Sequence, residues 1–426
     1  MYTKFKDMSK NFGPGLLMAA TGIGVSHIVQ SVQAGAKYGY VLIAAIIFIH
    51  IVKYPFFLTS SKYVSHTKKS LLDGYYDMSP KYLVIVLGLT SIMVFAMIAL
   101  VFLVGSAVVA NIFNINIPIA WLAIIYMCCC SAVLIFGRYD FLDGIIKPII
   151  LLMIITTFAT LIIANSSFSS VDTSFVAEKF SLFRKEHFLF FIALLGWMPC
   201  TLDVVVWNSL WTSRKYKDDK KPIEYKKVRL DLNAGYIITA VLAVAFIVLG
   251  KIVFFEKVAD LPEKAVPFIG SFFEIYTKNL GQASYLIIAV GAFFTMFSTV
   301  ISVLDGFTRT FSHGLAILNN KAGSKKNKFN ISETKIYNIA ILVIIAGAGL
   351  VLLFLMDNMK QLVIVTTIGS FVSSSIVAIL NLKLSFNLST QSKEFALNKM
   401  DKAYYYACLA AMLILSLIIM GIVFGF

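Results

Sequence analysis

The chain has few charged residues, and it lacks the motifs of an enzyme. Asp, Glu, Lys and Arg together make up 14% of its 426 residues, whereas soluble domains carry roughly 25%. Its five cysteines lack the paired loop spacing of a disulfide framework, and no phosphate-binding loop occurs. These absences argue against a soluble enzyme, against direct use of ATP and against a disulfide-stabilised domain. We expect no catalytic site and no cofactor.

What the chain has in abundance is apolar sequence. Hydrophobic residues make up 59% of it, and its mean hydropathy is +0.84. Apolar stretches of about 20 residues, each long enough to cross a hydrocarbon core of roughly 30 Å, recur along the whole length. The pattern predicts an all-α membrane protein with eleven transmembrane helices. The predicted spans are 13–36, 40–60, 82–110, 117–137, 140–164, 187–212, 230–254, 283–318, 336–356, 361–382 and 403–425.

Basic residues are concentrated in two loops between these spans, 213–229 and 319–335. The first of these loops contains Arg214, Lys215, Lys217, Lys220, Lys221, Lys226, Lys227 and Arg229. The positive-inside rule then predicts a cytoplasmic N-terminus and an external C-terminus in a plasma or bacterial inner membrane. The net charge of +15 suits contact with anionic lipid. Nucleic-acid binding is not expected, because no aromatic platform accompanies the basic loops. The expected partners are the bilayer and a small transported substrate, with the chain acting as a monomer.

Two of the spans are interrupted by helix-breaking and polar residues. The candidate substrate-binding residues at these interruptions are Gly22, Gly24, Ser26 and His27 in the first span, and Gly196, Met198, Cys200 and Asp203 in the sixth. Backbone groups released from helical pairing cannot face lipid, so such breaks occur where they line a cavity or a ligand. Paired breaks in corresponding spans are the best sequence indicator of a secondary transporter's binding site. We therefore predict that the two breaks face each other and form the substrate site.

An odd number of spans in each half has a topological consequence. If the first five spans (1–166) begin inside, the next five (187–382) begin outside and are inverted. Inverted repeats of this kind give alternating access by rocking one bundle against the other. Residues 403–426 form an extra helix, and 1–426 is a single transmembrane domain.

Three strings resemble the NRAMP family of metal-ion transporters. They are Gly13-Pro14-Gly15, then Gln33-Ala34-Gly35-Ala36-Lys37-Tyr38-Gly39-Tyr40, then Met198-Pro199. The resemblance implies a LeuT-type fold of two inverted five-helix repeats with broken first and sixth helices. It also implies a secondary-active transporter of divalent metal ions that works by alternating access.

The chain departs from the family at the residues that bind metal there. The family pattern is Asp-Pro-Gly-Asn in the first helix and Met-Pro-His in the sixth. The corresponding residues here are Gly24, Val25, Ser26 and His27, then Met198, Pro199 and Cys200. The carboxylate is therefore absent, and so is the family's acidic proton route, because 82–110 contains no ionisable side chain apart from Tyr82. An acid restored at Gly24 should raise the affinity for manganese.

Several hypotheses about the site stay open. His27, Met198 and Cys200 form a borderline-to-soft ligand set suited to zinc, copper(I) or iron, or they are ordinary packing and hydrogen-bonding residues. Asp203 is an intramembrane acid and hence a functional candidate. We predict that it shares a polar contact or a water with His27, or else that it pairs structurally with His27 or Arg309.

The coupling and gating candidates are Asp203, Asp305 and Arg309. The last two stand four residues apart on one helical face, where an ion pair is natural. Lys53 lies close to Pro55, where a gate or hinge is one interpretation, and a side chain that extends to the cytoplasmic interface is the simpler one.

The alternative to metal transport is a carrier of a small organic solute, such as an amino acid or amine, held at half-helix N-termini. Trp197, Trp207 and Phe191 would then supply its apolar walls. A further alternative is a relative that keeps the fold without transporting metal, such as a sensor.

Overall fold

The computed structural model describes residues 12–167, 180–217, 222–254, 262, 264–282, 284–322, 332–355 and 359–424. Every regular element in these ranges is helical. In chain order the helices are α1 (Pro14–Gly22), α2 (Ser26–Tyr38), α3 (Ile43–Thr67), α4 (Leu71–Met78), α5 (Pro80–Phe113), α6 (Ile119–Ser167), α7 (Lys185–Trp197), α8 (Asp203–Lys215), α9 (Tyr225–Phe254), α10 (Ala265–Leu280), α11 (Ser284–Ala322), α12 (Glu333–Leu350), α13 (Met359–Gln391) and α14 (Lys399–Phe424).

The predicted membrane helices are present, although the predicted number of eleven is not established. Within the described residues, nine helical segments, two of them on α6, are long and apolar enough to cross a membrane, or up to ten if the bent pair α1–α2 counts as one span. Helices α7 and α8 have 13 residues each, about 20 Å at 1.5 Å per residue, so neither crosses a bilayer alone. The predicted spans 117–137 and 140–164 lie on the single helix α6.

Both predicted interruptions are real breaks. Helix α1 starts on Pro14 and ends at Gly22, and α2 resumes at Ser26 with a bend of 46°. Helix α2 opens with a π-helical turn, Ser26–Ser31, before it becomes regular. Helix α7 ends at Trp197 with Met198 in an extended conformation, as expected for a residue that precedes a proline.

Helix α9 packs closely on the broken first helix. A Cβ added to Gly15 or Gly35 would overlap the α9 backbone at Asp231 and Ile247, so only glycine permits this approach. Asp231 also accepts hydrogen bonds from the amides of Gly13 (3.0 Å) and Gly15 (2.8 Å). These contacts fix the first half-helix, and with it one wall of the site.

Helix α14 lies at the periphery, on α3 and α13. The Tyr405 hydroxyl donates to the Pro55 carbonyl at 3.0 Å, and Tyr404 to Ile51 at 2.6 Å. The outward surfaces of the long helices are strongly apolar, as at Phe136, which is 83% exposed. In a membrane protein such a surface is covered by lipid.

Candidate functional site

The two broken helices meet at their breaks. A Cβ added to Gly22 would lie 2.5 Å from the Pro199 carbonyl oxygen and 3.5 Å from the Cβ of Cys200. The prediction that the breaks face each other is therefore confirmed.

A small cavity lies at this junction. It is lined by Thr21, Gly22, Val25, Ser26, Met97, Val101, Trp197, Cys200, Thr201, Val204, Trp207, Thr299 and Val303. The space open to the centre of a water molecule is about 40 Å³, and one water needs roughly 10–15 Å³ by this measure. The cavity therefore holds a few waters or one small, partly hydrated ion. No lining side chain is a carboxylate.

Three of the eight predicted substrate-binding residues line this cavity: Gly22, Ser26 and Cys200. Gly24 lies at its edge, with Thr299 packed against its Cα. The Thr299 hydroxyl is 2.9 Å from the carbonyl oxygens of both Ala20 and Ile23. It therefore satisfies a carbonyl that the break in the first helix releases.

His27 is directed towards α9 and does not line the cavity. Its Nε2 donates to the Thr239 carbonyl at 3.1 Å, its Nδ1 is 2.8 Å from the Ser26 hydroxyl, and its ring meets Phe246 edge-on at 6.1 Å. The imidazole is fully buried. In this conformation His27 ties the first break to α9.

Gly196 and Met198 are buried and Asp203 is half-buried, and none of the three lines the cavity. Helix α13 packs on Gly196 through Phe371. The Ser373 hydroxyl of the same helix donates to Asp203 Oδ2 at 3.4 Å, and the Leu202 amide donates to Ser374 at 3.1 Å. Asp203 thus faces α13.

The predicted direct contact between His27 and Asp203 is not formed, and Asp203 does not pair with Arg309. Each of the two side chains has its own partners, Thr239 and Ser26 for His27 and Ser373 for Asp203. Local hydroxyl and carbonyl groups on the neighbouring helices satisfy both, so neither needs the other. Within the described residues, no three His, Cys, Asp or Glu side chains are placed together to hold a metal ion.

Lys53 is buried at the second break, and the interpretation that it extends to the interface is wrong. Its side chain is fully buried, and Nζ donates to the carbonyl oxygens of Leu195 (3.1 Å), Gly196 (2.7 Å) and Cys200 (3.0 Å). These carbonyls belong to the last turn of α7 and to the linker, where helical donors run out. A positive charge at a helix C-terminus also complements the helix dipole.

A network of polar side chains closes the structure beyond the cavity, along α11. The predicted ion pair is confirmed: Arg309 Nε lies 2.6 Å from Asp305 Oδ2. Trp211 Nε1 donates to the same carboxylate at 2.7 Å, and the Tyr337 hydroxyl donates to it at 2.8 Å. These contacts join α8, α11 and α12 on the side of the basic loops. We call them the Asp305 network.

One turn further along α11, His313 joins two more elements. Its Nε2 is 2.9 Å from Asp73 Oδ2 on α4, and its Nδ1 is 3.3 Å from Glu333 Oε1 on α12. Burial alone would raise the pKa of Asp73, but its hydrogen bonds with His313 and Ser70 and the histidine charge hold that pKa below its ordinary value.

Solved structures of other proteins share this fold. The fold is similar to a manganese transporter from Eremococcus coleocola, solved as a point mutant (TM-score 0.73, 14% identity, 99% of this chain and 89% of that one). It is also similar to MHP1, a nucleobase-cation-symport-1 family transporter (TM-score 0.57, 10% identity, 96% and 93%). At such identities the likeness concerns the fold, which is the LeuT-type fold of multi-pass membrane transporters.

The sequence gives the narrower assignment. The model of the Nramp family, described as natural resistance-associated macrophage protein-like, matches residues 15–421. An uncharacterized protein of Pasteurella multocida (strain Pm70) is 32% identical over 376 residues, 87% of this chain and 84% of that protein. The chain belongs to the Nramp-like family.

Proposed function

We propose that the chain is a secondary-active, alternating-access transporter for a small ion, with metal ions as the substrate class. The ion would bind in the cavity between the two breaks through sulfur and neutral oxygen atoms, without a carboxylate. The observation that carries the proposal is the cavity itself, which joins both broken helices and has room for about one small ion with its water. Membership in the Nramp-like family supports metal ions as the class.

The atoms around the cavity favour a soft ion. The lining residues include Cys200 and Met97, which carry sulfur, and Thr21, Ser26 and Thr201, which carry hydroxyls. Sulfur ligands select soft or borderline metals, whereas hard divalent ions prefer carboxylate oxygens. Of the predicted ligands His27, Met198 and Cys200, only the last lines the cavity. In the proposed site, the second sulfur ligand is therefore Met97 on α5 instead of Met198.

Isothermal calorimetry on the purified protein tests this proposal. The wild-type protein should bind zinc or cadmium more tightly than manganese. Cys200→Ser should weaken the soft ion by about tenfold or more, about 1.4 kcal/mol. Thr201→Asp, which puts a carboxylate into the cavity wall, should raise manganese affinity, while the isosteric Thr201→Asn should not. Tight manganese binding that none of these substitutions changes would contradict the proposal.

A small organic solute is the second candidate, and one observation favours it. Trp197 is a lining residue of the cavity, and its indole Nε1 is buried without a hydrogen-bond partner among the described residues. An indole N–H only donates, so it suits a carboxylate or carbonyl oxygen of a substrate and not a bare cation. Trp207 also forms part of the wall as predicted, whereas Phe191 does not.

Substitution of Trp197 distinguishes the two candidate functions. Trp197→Phe keeps the aromatic wall and removes the N–H, so it should weaken an acceptor-bearing solute and leave direct metal binding nearly unchanged. Calorimetry of both proteins against amino acids and amines, alongside the metal panel, identifies the substrate class.

A further inference from the structure

The carbonyl oxygens at the second break form a cage around a cation that belongs to the chain itself. Three oxygens, from Leu195, Gly196 and Cys200, lie 2.7–3.1 Å from Lys53 Nζ. A lysine ammonium has three donors and no acceptor, so this arrangement uses all of its hydrogens. We refer to these three oxygens as the carbonyl cage.

A cage of this kind is a cation site by its own chemistry. Backbone carbonyls of an unwound helix segment and the C-terminal end of a half-helix are the groups with which broken-helix transporters coordinate a monovalent ion. Carbonyl oxygens can also replace the hydration shell of potassium, as they do in channel filters. Without a cation, these buried oxygens would be left without partners, which is costly at this depth.

Lys53 reaches the cage from a different element, α3. Its ammonium is fully buried, so no free ion can share the position. The acid nearest to it along the linker is Asp203, which starts α8. Burying a charge needs such counter-groups. In this structure the ammonium therefore links α3 to the α7–α8 break.

We propose that the Lys53 ammonium is a tethered resident cation that occupies the carbonyl cage, where a free monovalent cation would otherwise bind. Lys53 is thus a positioning residue: it holds the shape of the second break without an exchangeable sodium or potassium ion. The inference concerns the cage alone and does not depend on which substrate the neighbouring cavity takes.

Removing the tether tests the inference. In Lys53→Ala the side chain lacks three methylenes and the ammonium, and propylammonium supplies both. We expect the melting temperature of the purified variant to fall by about 5 °C or more. Propylammonium or potassium should restore at least half of that loss in a saturable manner, while choline at equal ionic strength should not.

Two further proteins serve as controls. Lys62→Met removes another lysine of α3, whose Nζ lies 5.8 Å from the centre of the Tyr405 ring, and it should acquire no response to cations. The wild-type protein should show no saturable stabilisation by sodium, potassium or propylammonium. This wild-type measurement decides the matter if Lys53→Ala cannot be purified.

Two results would overturn the inference. The first is a saturable stabilisation by sodium or potassium that the wild-type protein and Lys53→Ala show equally. If the variant cannot be purified, any saturable stabilisation of the wild-type protein by these ions has the same meaning. The second is a Lys53→Ala protein that melts like the wild type with no response to any of the cations.

Discussion

At the scale of single residues, Thr299 occupies the space into which any side chain at position 24 would extend. A Cβ on Gly24 would lie 2.7 Å from Thr299 Cγ2 and 2.8 Å from its Cβ, closer than packed carbon atoms come. Thr299 is β-branched and is held by carbonyls of the first break, so it cannot rotate away without cost. The absence of an acid at position 24 is therefore linked to the presence of Thr299 opposite it, because the two side chains would occupy the same space. Gly24→Asp alone does not fit this structure as a way to restore a metal-binding carboxylate.

We expect Gly24→Ala to destabilise the protein by about 1–3 kcal/mol, the usual cost of overpacking a dense interior. Thr299→Gly, which clears the opposing side chain, should recover part of that loss in the double variant, so that the two effects are not additive. Thermal unfolding of the two single variants and the double variant measures the coupling.

Gly88→Ala is the matched control for this comparison. Gly88 lies within α5, whereas Gly24 lies in the break between α1 and α2, and an added Cβ on Gly88 has nothing within 4 Å. The substitution should be neutral or slightly stabilising, because alanine is the better helix former. If Gly24→Ala proves as stable as Gly88→Ala, the steric account of position 24 is wrong.

At the scale of helices, the breaks could be predicted from the sequence, while the directions of the side chains around them could not. Proline and glycine mark the ends of α1 and α7, because proline removes a backbone donor and glycine is a poor helix former. The turn that carries His27, however, is π-helical. A count of residues along a regular helix therefore misplaces that side chain. The spacing of the first break contains no sign of this turn.

The direction of the Lys53 side chain could not be predicted from the sequence either, for a different reason. Near the predicted end of a span, a lysine either extends to the interface or stays inside, and boundaries read from sequence are uncertain by several residues. The carbonyl oxygens at the end of α7, more than 140 residues away in the chain, decide between these two directions of the Lys53 side chain. Only the tertiary structure brings the two together.

Asp231 anchors the first half-helix, and its removal should loosen that element specifically. It accepts from two amides at the start of α1, whereas an asparagine would present a donor to one of them. We expect Asp231→Asn to cost about 1 kcal/mol, as loss of a helix cap does. It should also speed hydrogen exchange in residues 13–22.

The control for Asp231 is Asp401→Asn, at the start of the peripheral helix α14. Asp401 accepts from the Asn398 amide at 3.1 Å in an exposed position. Its substitution should leave exchange in residues 13–22 unchanged. Equal exchange in that segment for both variants would show that Asp231 does not hold α1.

At the scale of the whole molecule, the cavity is closed towards the basic loops by layers of contacts along α11. Thr299 and Val303 line the cavity, the Asp305 network follows within the next two turns, and His313 bridges α4 and α12 beyond it. Trp207 packs on Phe307 at 4.7 Å between cavity and network. The proposed alternating access requires these layers to separate when a path opens to this side. The sequence predicted the Asp305–Arg309 pair from its spacing but not the two partners on other helices, because Trp211 and Tyr337 approach through tertiary packing.

Cys200 makes the opening measurable, because it is a native thiol in the cavity wall. With Cys128, Cys129, Cys130 and Cys408 replaced by serine, it is the only cysteine left. In the closed structure it is 5% exposed, so a membrane-impermeant cationic thiol reagent should label it slowly.

Asp305→Asn removes the carboxylate charge that holds Arg309, Trp211 and Tyr337 together, so the contacts between α8, α11 and α12 become weaker. The substitution should therefore shift the population towards the state that is open on the side of the basic loops. We expect labelling of Cys200 from that side of oriented vesicles to rise by about tenfold, which corresponds to about 1.4 kcal/mol of population shift. Glu224→Gln, which removes an exposed pair with Lys227 on the same side, should leave the rate unchanged. Equal labelling in the two variants, or faster labelling from the opposite side, would mean that the Asp305 network is not the barrier between the cavity and the basic loops.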